Sequence, residues 1–433
     1  MGRGFLSTAL GALAFATAAG AQPIEVATLS APDFFSNGAR DTGLGPELWA
    51  GSSAQTARTV IPLIAAKPLS PAAQALARRV LATAASGPDG AGRDPEMAGA
   101  RINALIATGA VKDAGVILSR TANLERSPVL AQAGAEAALL SGADERACDI
   151  AESLVTGRED VYWLRLRAYC QLRGGQAGAA QLTFDLAQGQ ARDATFGRLM
   201  SAKLAGGGDP GAASARNGLD YALSRNLGLD VAAAQPSPAV AAALRPSEPG
   251  PATWTIDGSD PVRTAMAAVA AGDLDGAKVQ RGGLTAEGIA ANDLALLDAL
   301  IAAASGKPDG PTLDRLVERG SVSDAKSRTK MQNAAVLLSA LDAPMTAHTR
   351  GEFAKFSAVE PGKATVAKAA ALDLAGDAKL QGEAAMLALW LSADAGAAGP
   401  PVGDRVRIIR ALKAAGLEEH ARAFAVEGLL AQR

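Results

Sequence analysis

Histidine is almost missing from this chain, with two among 433 residues, His348 and His420, and none before position 348. A zinc centre needs three or four His, Cys or carboxylate ligands, and neither histidine has a partner at ligand spacing. A Ser-His-Asp catalyst would depend on one of the two, and no Gly-x-Ser-x-Gly elbow supports it. The glycine run GGGDPG at 206–211 lacks the Lys-Ser/Thr that completes a phosphate loop, so it reads as a turn. DGSD at 257–260 lacks the rest of a calcium loop. The carboxylate pairs Glu418–Glu419 and Asp273–Asp275 fall in hairpin turns, where solvation accounts for them, and His420 is expected at a helix surface beside the first pair. No catalytic residue, metal or cofactor is expected.

Charge of one sign is also lacking. Lys and Arg number 42 against 44 Asp and Glu, mixed along the chain, and nucleic acid or anionic lipid would need a clustered positive face. Long apolar runs are absent after the first 21 residues, so no membrane span is expected. Those 21 residues, MGRGFLSTALGALAFATAAGA, place Arg3 before an apolar stretch from Phe5 to Ala16 and end in Ala19-Gly20-Ala21. That order is a secretory signal peptide with a small-x-small cleavage site. No cysteine follows the site to carry a lipid, so the expectation is a soluble exported protein, periplasmic in a Gram-negative host. Aromatics are only 4% while hydrophobic residues are 48%. Alanine supplies the balance, which favours helix over sheet and disfavours disorder.

What the chain does have is a period. Helical runs break at glycine in ALIATGAVKDAGVIL (Gly109), AALLSGADERACDIA (Gly142), CQLRGGQAGAAQLTF (Gly175) and SAKLAGGGDPGAASA (Gly208), each 33 residues after the last. The fifth residue after each glycine is alanine: Ala114, Ala147, Ala180 and Ala213. A glycine can end a helix in the left-handed conformation. The second helix then folds back, with alanine at the closest approach. One hairpin cannot bury its own apolar face, so neighbours must stack.

This pattern resembles the tetratricopeptide-type helical repeats, whose glycine and alanine stand at the same spacing. The third copy fits best, with Ala168, Gly175, Ala180, Phe184 and Ala187. Arg167 and Gln171 depart from it, and the proline expected after the second helix is missing. The resemblance covers roughly residues 96–227. It implies a shape, an all-α solenoid of stacked hairpins, and no enzymatic activity. Weaker echoes follow at Gly272 with Ala277, around Gly376, and at Gly416 with Ala421.

The expected organisation is an extended or mobile segment at 22–45, a helical-repeat array at 46–231 beginning with an atypical cap, and a proline-rich linker or brace at 232–261. A less regular helical region occupies 262–433. The two cysteines of an exported chain read as a disulfide. Cys148 and Cys170 sit level with each other on either side of a turn near residue 158, joining adjacent repeats. Two separately buried thiols are the alternative, and a redox pair is disfavoured because no Cys-x-x-Cys occurs.

Tyr162, Arg165, Tyr169 and Arg173 recur at spacings of three and four, on one stripe of a helix. They are candidates for a partner-binding groove, since Tyr and Arg are enriched at interfaces; the alternative places both tyrosines in the core. The functional expectation is a non-catalytic scaffold or adaptor binding other envelope proteins of a motility, secretion or envelope-biogenesis machine. A small-ligand or glycan-binding protein, a cryptic envelope hydrolase, and a purely structural spacer are the other readings.

Overall fold

The computed structural model describes residues 33–245, 250–285 and 289–433, and among them there are α-helices and short 3-10 turns but no strand. The leader at 1–21 and the part 22–32 of the expected extended segment lie outside these residues. Many helices begin where the sequence supplies a side-chain cap. Asp94 precedes Pro95, and its carboxylate accepts from the amides of Glu96 and Met97. Asp193, Asp260, Asp309 and Asp324 do the same at four other helix starts. Proline at the first position costs no hydrogen bond, and an aspartate oxygen satisfies an orphan amide.

The elements run as pairs. The first are α1 (Ala54–Ala66) with α2 (Pro71–Ala82), α3 (Pro95–Ala107) with α4 (Val111–Ser119), α5 (Pro128–Leu140) with α6 (Asp144–Ser153), and α7 (Val161–Arg173) with α8 (Ala177–Gln190). Then come α9 (Ala194–Leu204), α10 (Gly218–Asn226) and the short α11 (Pro238–Leu244). The remainder comprises α12 (Pro261–Ala270), α13 (Leu274–Gly282), α14 (Ala291–Ser305), α15 (Gly310–Val322), α16 (Ala325–Ser339) and α17 (Ala347–Phe353). It closes with α18 (Val366–Asp377), α19 (Gln381–Ala395), α20 (Val402–Ala414) and α21 (Glu418–Leu430).

Six hairpins share one turn. Gly109, Gly142, Gly175, Gly272, Lys379 and Gly416 all have positive φ, between 57° and 86°. In each, the amide of that residue bonds the carbonyl three residues back, and the next amide bonds the carbonyl five residues before itself. Gly109 N donates to Ile106 O at 3.0 Å and Ala110 N to Leu105 O at 2.9 Å; Gly416 N donates to Lys413 O at 3.0 Å and Leu417 N to Leu412 O at 2.8 Å. This is the double bond of a Schellman cap. The fifth residue on is a buried alanine every time: Ala114, Ala147, Ala180, Ala277, Ala384 and Ala421, none more than 1% exposed.

Two expectations change here. The echo around Gly376 is displaced, because Gly376 lies inside α18 and the left-handed residue is Lys379. The fourth copy does not form its turn. After α9 the chain runs through Gly206–Asn217 without a second helix, Gly208 is exposed, and Ala213 is only half-buried. GGGDPG stops α9 and cannot restart a helix, so the next one waits for the Asn217 cap, which accepts from the Asp220 amide. α10 then ends in its own Schellman cap at Gly228.

The proline-rich stretch braces rather than separates. α11 packs on α3, the Trp254 amide donates to Ala270 O at 2.8 Å, and its indole donates to Glu427 at 3.3 Å. One hydrophobic core runs from Phe35 through α1–α4 to Leu430, so the expected boundary at 232–261 does not divide two cores. α1 and α2 are no terminal cap either, since α19 packs on both and α21 on α2. Residues 33–45 are neither extended nor loose: Phe35 is fully buried, and the buried Arg101 guanidinium donates to the carbonyls of Phe34, Asn37, Leu81 and Thr83. A second, smaller core occupies residues 131–229 and is built around Trp163, Tyr169, Phe184 and Phe196.

Candidate functional site

The stripe on α7 belongs to this smaller core. Its four residues share a face as their spacing requires; Tyr169 is buried, Tyr162 and Arg165 are half-buried, and Arg173 is exposed. Tyr169 is 1% exposed, and its hydroxyl donates to Asp144 Oδ2 at 2.9 Å. The half-buried Tyr162 donates to Glu136 Oε1 at 2.9 Å. Arg165 donates to Ala191 O, pairs with Asp193 at 3.4 Å and lies over the Phe196 ring. Arg173 donates to Asn226 Oδ1 at 3.1 Å and pairs with Asp144 at 3.3 Å. One end of the groove expected from the sequence is therefore covered, by Asn226 at the end of α10.

α10 packs on α5 and α9, with Leu219, Ala222 and Leu223 buried in the same core as Trp163 and Tyr169. Both of its ends are held. At the start, Gly218 N donates to Glu136 Oε2 at 2.6 Å. A Cβ on Gly218 would lie 2.8 Å from that oxygen, so only glycine lets the helix end come so close. A carboxylate there also meets the positive end of the helix dipole. At the finish, Arg225 donates to Asp144 Oδ1 at 2.5 Å, and Asn226 Nδ2 donates to Asp144 Oδ2 at 3.1 Å and to the Tyr169 oxygen at 2.7 Å.

The two carboxylates are tuned in opposite directions. Burial pushes Glu136 above the usual carboxylate range, and the bonds from Gly218 and Tyr162 offset only part of that. Burial also acts against the charge of Asp144, but the bonds from Arg225, Tyr169 and Asn226 hold it below its ordinary value. Both tyrosines are raised, by burial first and then by the carboxylate each one faces.

The cysteines lie beside this recess. Cys148 on α6 and Cys170 on α7 are disulfide-bonded with Cα atoms 5.5 Å apart, tying two consecutive hairpins. His420 is not at a surface. It is 3% exposed, and burial together with the adjacent Arg79 pushes its pKa down to about 3. Among the described residues no three or more His, Cys, Asp and Glu side chains are grouped as metal ligands.

Sequence reasoning missed Glu136, Asp144, Arg225 and Asn226. The one usable signal was NLGLD at 226–230, in which Gly228 marks the end of a helix that the 33-residue period does not place. The chain matches no family model, no curated protein and no solved structure.

Proposed function

We propose that this chain is an exported, non-catalytic helical-repeat scaffold or adaptor of tetratricopeptide-like build, which binds other proteins of the cell envelope such as parts of a motility, secretion or biogenesis machine. The observation that carries the reading is the apolar pair that α8 leaves exposed, Leu182 and Leu186. The leader pattern supports export, and so does a disulfide, a bond that persists in oxidising compartments. No helix among the described residues is long and apolar enough to cross a membrane.

The partner's contact is assigned to this face of α8. There Leu182 and Leu186, one turn apart, are 74% and 60% exposed. Gly178 and Gly189 flank them and leave open space where side chains would stand.

The test is photo-crosslinking in living host cells from position 182, with a control at Val366, which is 87% exposed on α18. The expected result is one envelope protein captured from 182 and not from 366, and forming a complex with the purified chain. No reproducible capture, or equal capture from both positions, overturns the reading.

A further inference from the structure

Three arginines converge on one small recess of the main body, remote in sequence from the α7 stripe. Arg78 and Arg79 lie on α2 and Arg40 on the turn ahead of α1, and with Thr42 and His420 they line a cavity of about 160 Å³. Arg78 is only 8% exposed. Among the described residues its one hydrogen bond runs from Nη1 to Thr108 O at 3.3 Å, and its buried Nε has no partner.

Two carboxylates, Asp41 and Glu419, also line the cavity, and a third, Asp113, faces Arg40. Asp113 pairs with Arg40 at 3.3 Å and Glu419 with Arg79 at 2.8 Å, while the exposed Asp41 accepts from the Gly43 amide. His420, held neutral beside Arg79, adds no charge. Burial, followed by the closeness of Arg40, lowers the pKa of Arg78, and the charge of Asp113 offsets part of that. A guanidinium nevertheless stays protonated at neutral pH. A buried guanidinium whose Nε has no hydrogen-bond partner is costly unless something meets it.

The three guanidinium groups also retain donors. Arg40 spends its Nε on Asp113, and Arg79 spends Nε on Thr42 O and Nη1 on Glu419. Their remaining nitrogens, with Nε and Nη2 of Arg78, make no hydrogen bond among the described residues and belong to side chains that line one cavity. Three planar forks in the lining of one cavity suit an anion with more acceptor oxygens than a carboxylate offers. The volume is below that of pockets that enclose drug-sized molecules, so a nucleotide would not fit inside.

We propose that this recess binds a phosphate-type oxyanion, either free or as the terminal group of a larger molecule, between Arg40, Arg78 and Arg79. The inference concerns a different site from the α8 face and stands whether or not the scaffold reading does.

Calorimetric titration of the full chain with inorganic phosphate, and separately with glycerol phosphate, tests it. Saturable one-site binding is expected, together with a melting temperature that rises with phosphate concentration by mass action. Binding of phosphate alone identifies the free ion, and binding of both identifies a terminal group. Arg78→Met should weaken binding at least about tenfold and abolish the thermal shift. Arg40→Gln, at the more exposed rim, should weaken it in a chain that still folds, and it decides the matter if the first variant does not fold. No saturable binding by the wild type, or binding unchanged in Arg40→Gln, overturns the proposal.

Discussion

The two hydrophobic cores are built from different materials. The main body, from Phe35 to Leu430, has three aromatics in its buried core, Phe35, Trp49 and Phe424, and is otherwise filled largely by alanine, leucine and other aliphatics. The arm at 131–229 is far smaller yet holds Trp163, Tyr169, Phe184 and Phe196, and it carries the one disulfide. A large set of helices can approach closely on alanine, because each helix has several neighbours to share its burial. A short array lacks those neighbours and must gain its stability from bulky side chains, charged networks and a covalent tie.

Cutting the tie is the strongest way to break that comparison. Replacing both cysteines with serine, or reducing the bond, should destabilise the arm by about 3 kcal/mol in the chain-entropy picture for a loop of this size. The main body should be left nearly untouched. Amide exchange resolved by segment checks this: faster exchange confined to 131–229 is expected, and uniform loss would show that the two cores unfold as one.

Overfilling the shared hairpin turn comes next. Ala180→Leu forces a large side chain into a position with no exposure, and should cost about 1–3 kcal/mol. Ala213→Leu, in the copy that forms no hairpin, should stay within about 0.5 kcal/mol. Thermal melting of the pair checks whether the buried alanine, rather than the sequence period, marks a real hairpin.

The smallest effect separates the cores by pH. His420 in the main body has a folded-state pKa near 3, below the ordinary value of about 6.5. The unfolded chain therefore takes up the proton first, and stability falls as pH drops below about 6.5, by at most about 1.4 kcal/mol per unit. His420→Gln should flatten that slope between neutral pH and pH 5. Asp144 in the arm, with its lowered pKa, titrates later: its stabilisation is present above about pH 4 and is lost below it, through the lowered folded-state value. Melting curves against pH for wild type and variant are the measurement, and parallel curves would remove His420 from the account.

How much of this was legible in the sequence follows from the range of the forces involved. The helical class, three of the four periodic turns and the cysteine pair are local: glycine, alanine and helix rise decide them within a few residues. Lys379 escaped notice because a lysine at positive φ carries no compositional mark. The burial of Tyr169 and His420 was less accessible, since each depends on a segment far along the chain, α10 for the first and α2 for the second. The stripe was correctly placed on one helix face. Which way that face turned depended on Gly218 and Glu136, 82 residues apart.

The Cys148–Cys170 bond has a mechanical side. An unravelled chain lengthens by about 3.4 Å per residue, so 22 residues of separation withhold roughly 75 Å of extension from any pull across the arm. Tension could strip the hydrogen bonds of α7 from either flank, but it could not draw α6 and α7 apart at that point. Under load the arm behaves as a hinge with a fixed pin rather than as a spring.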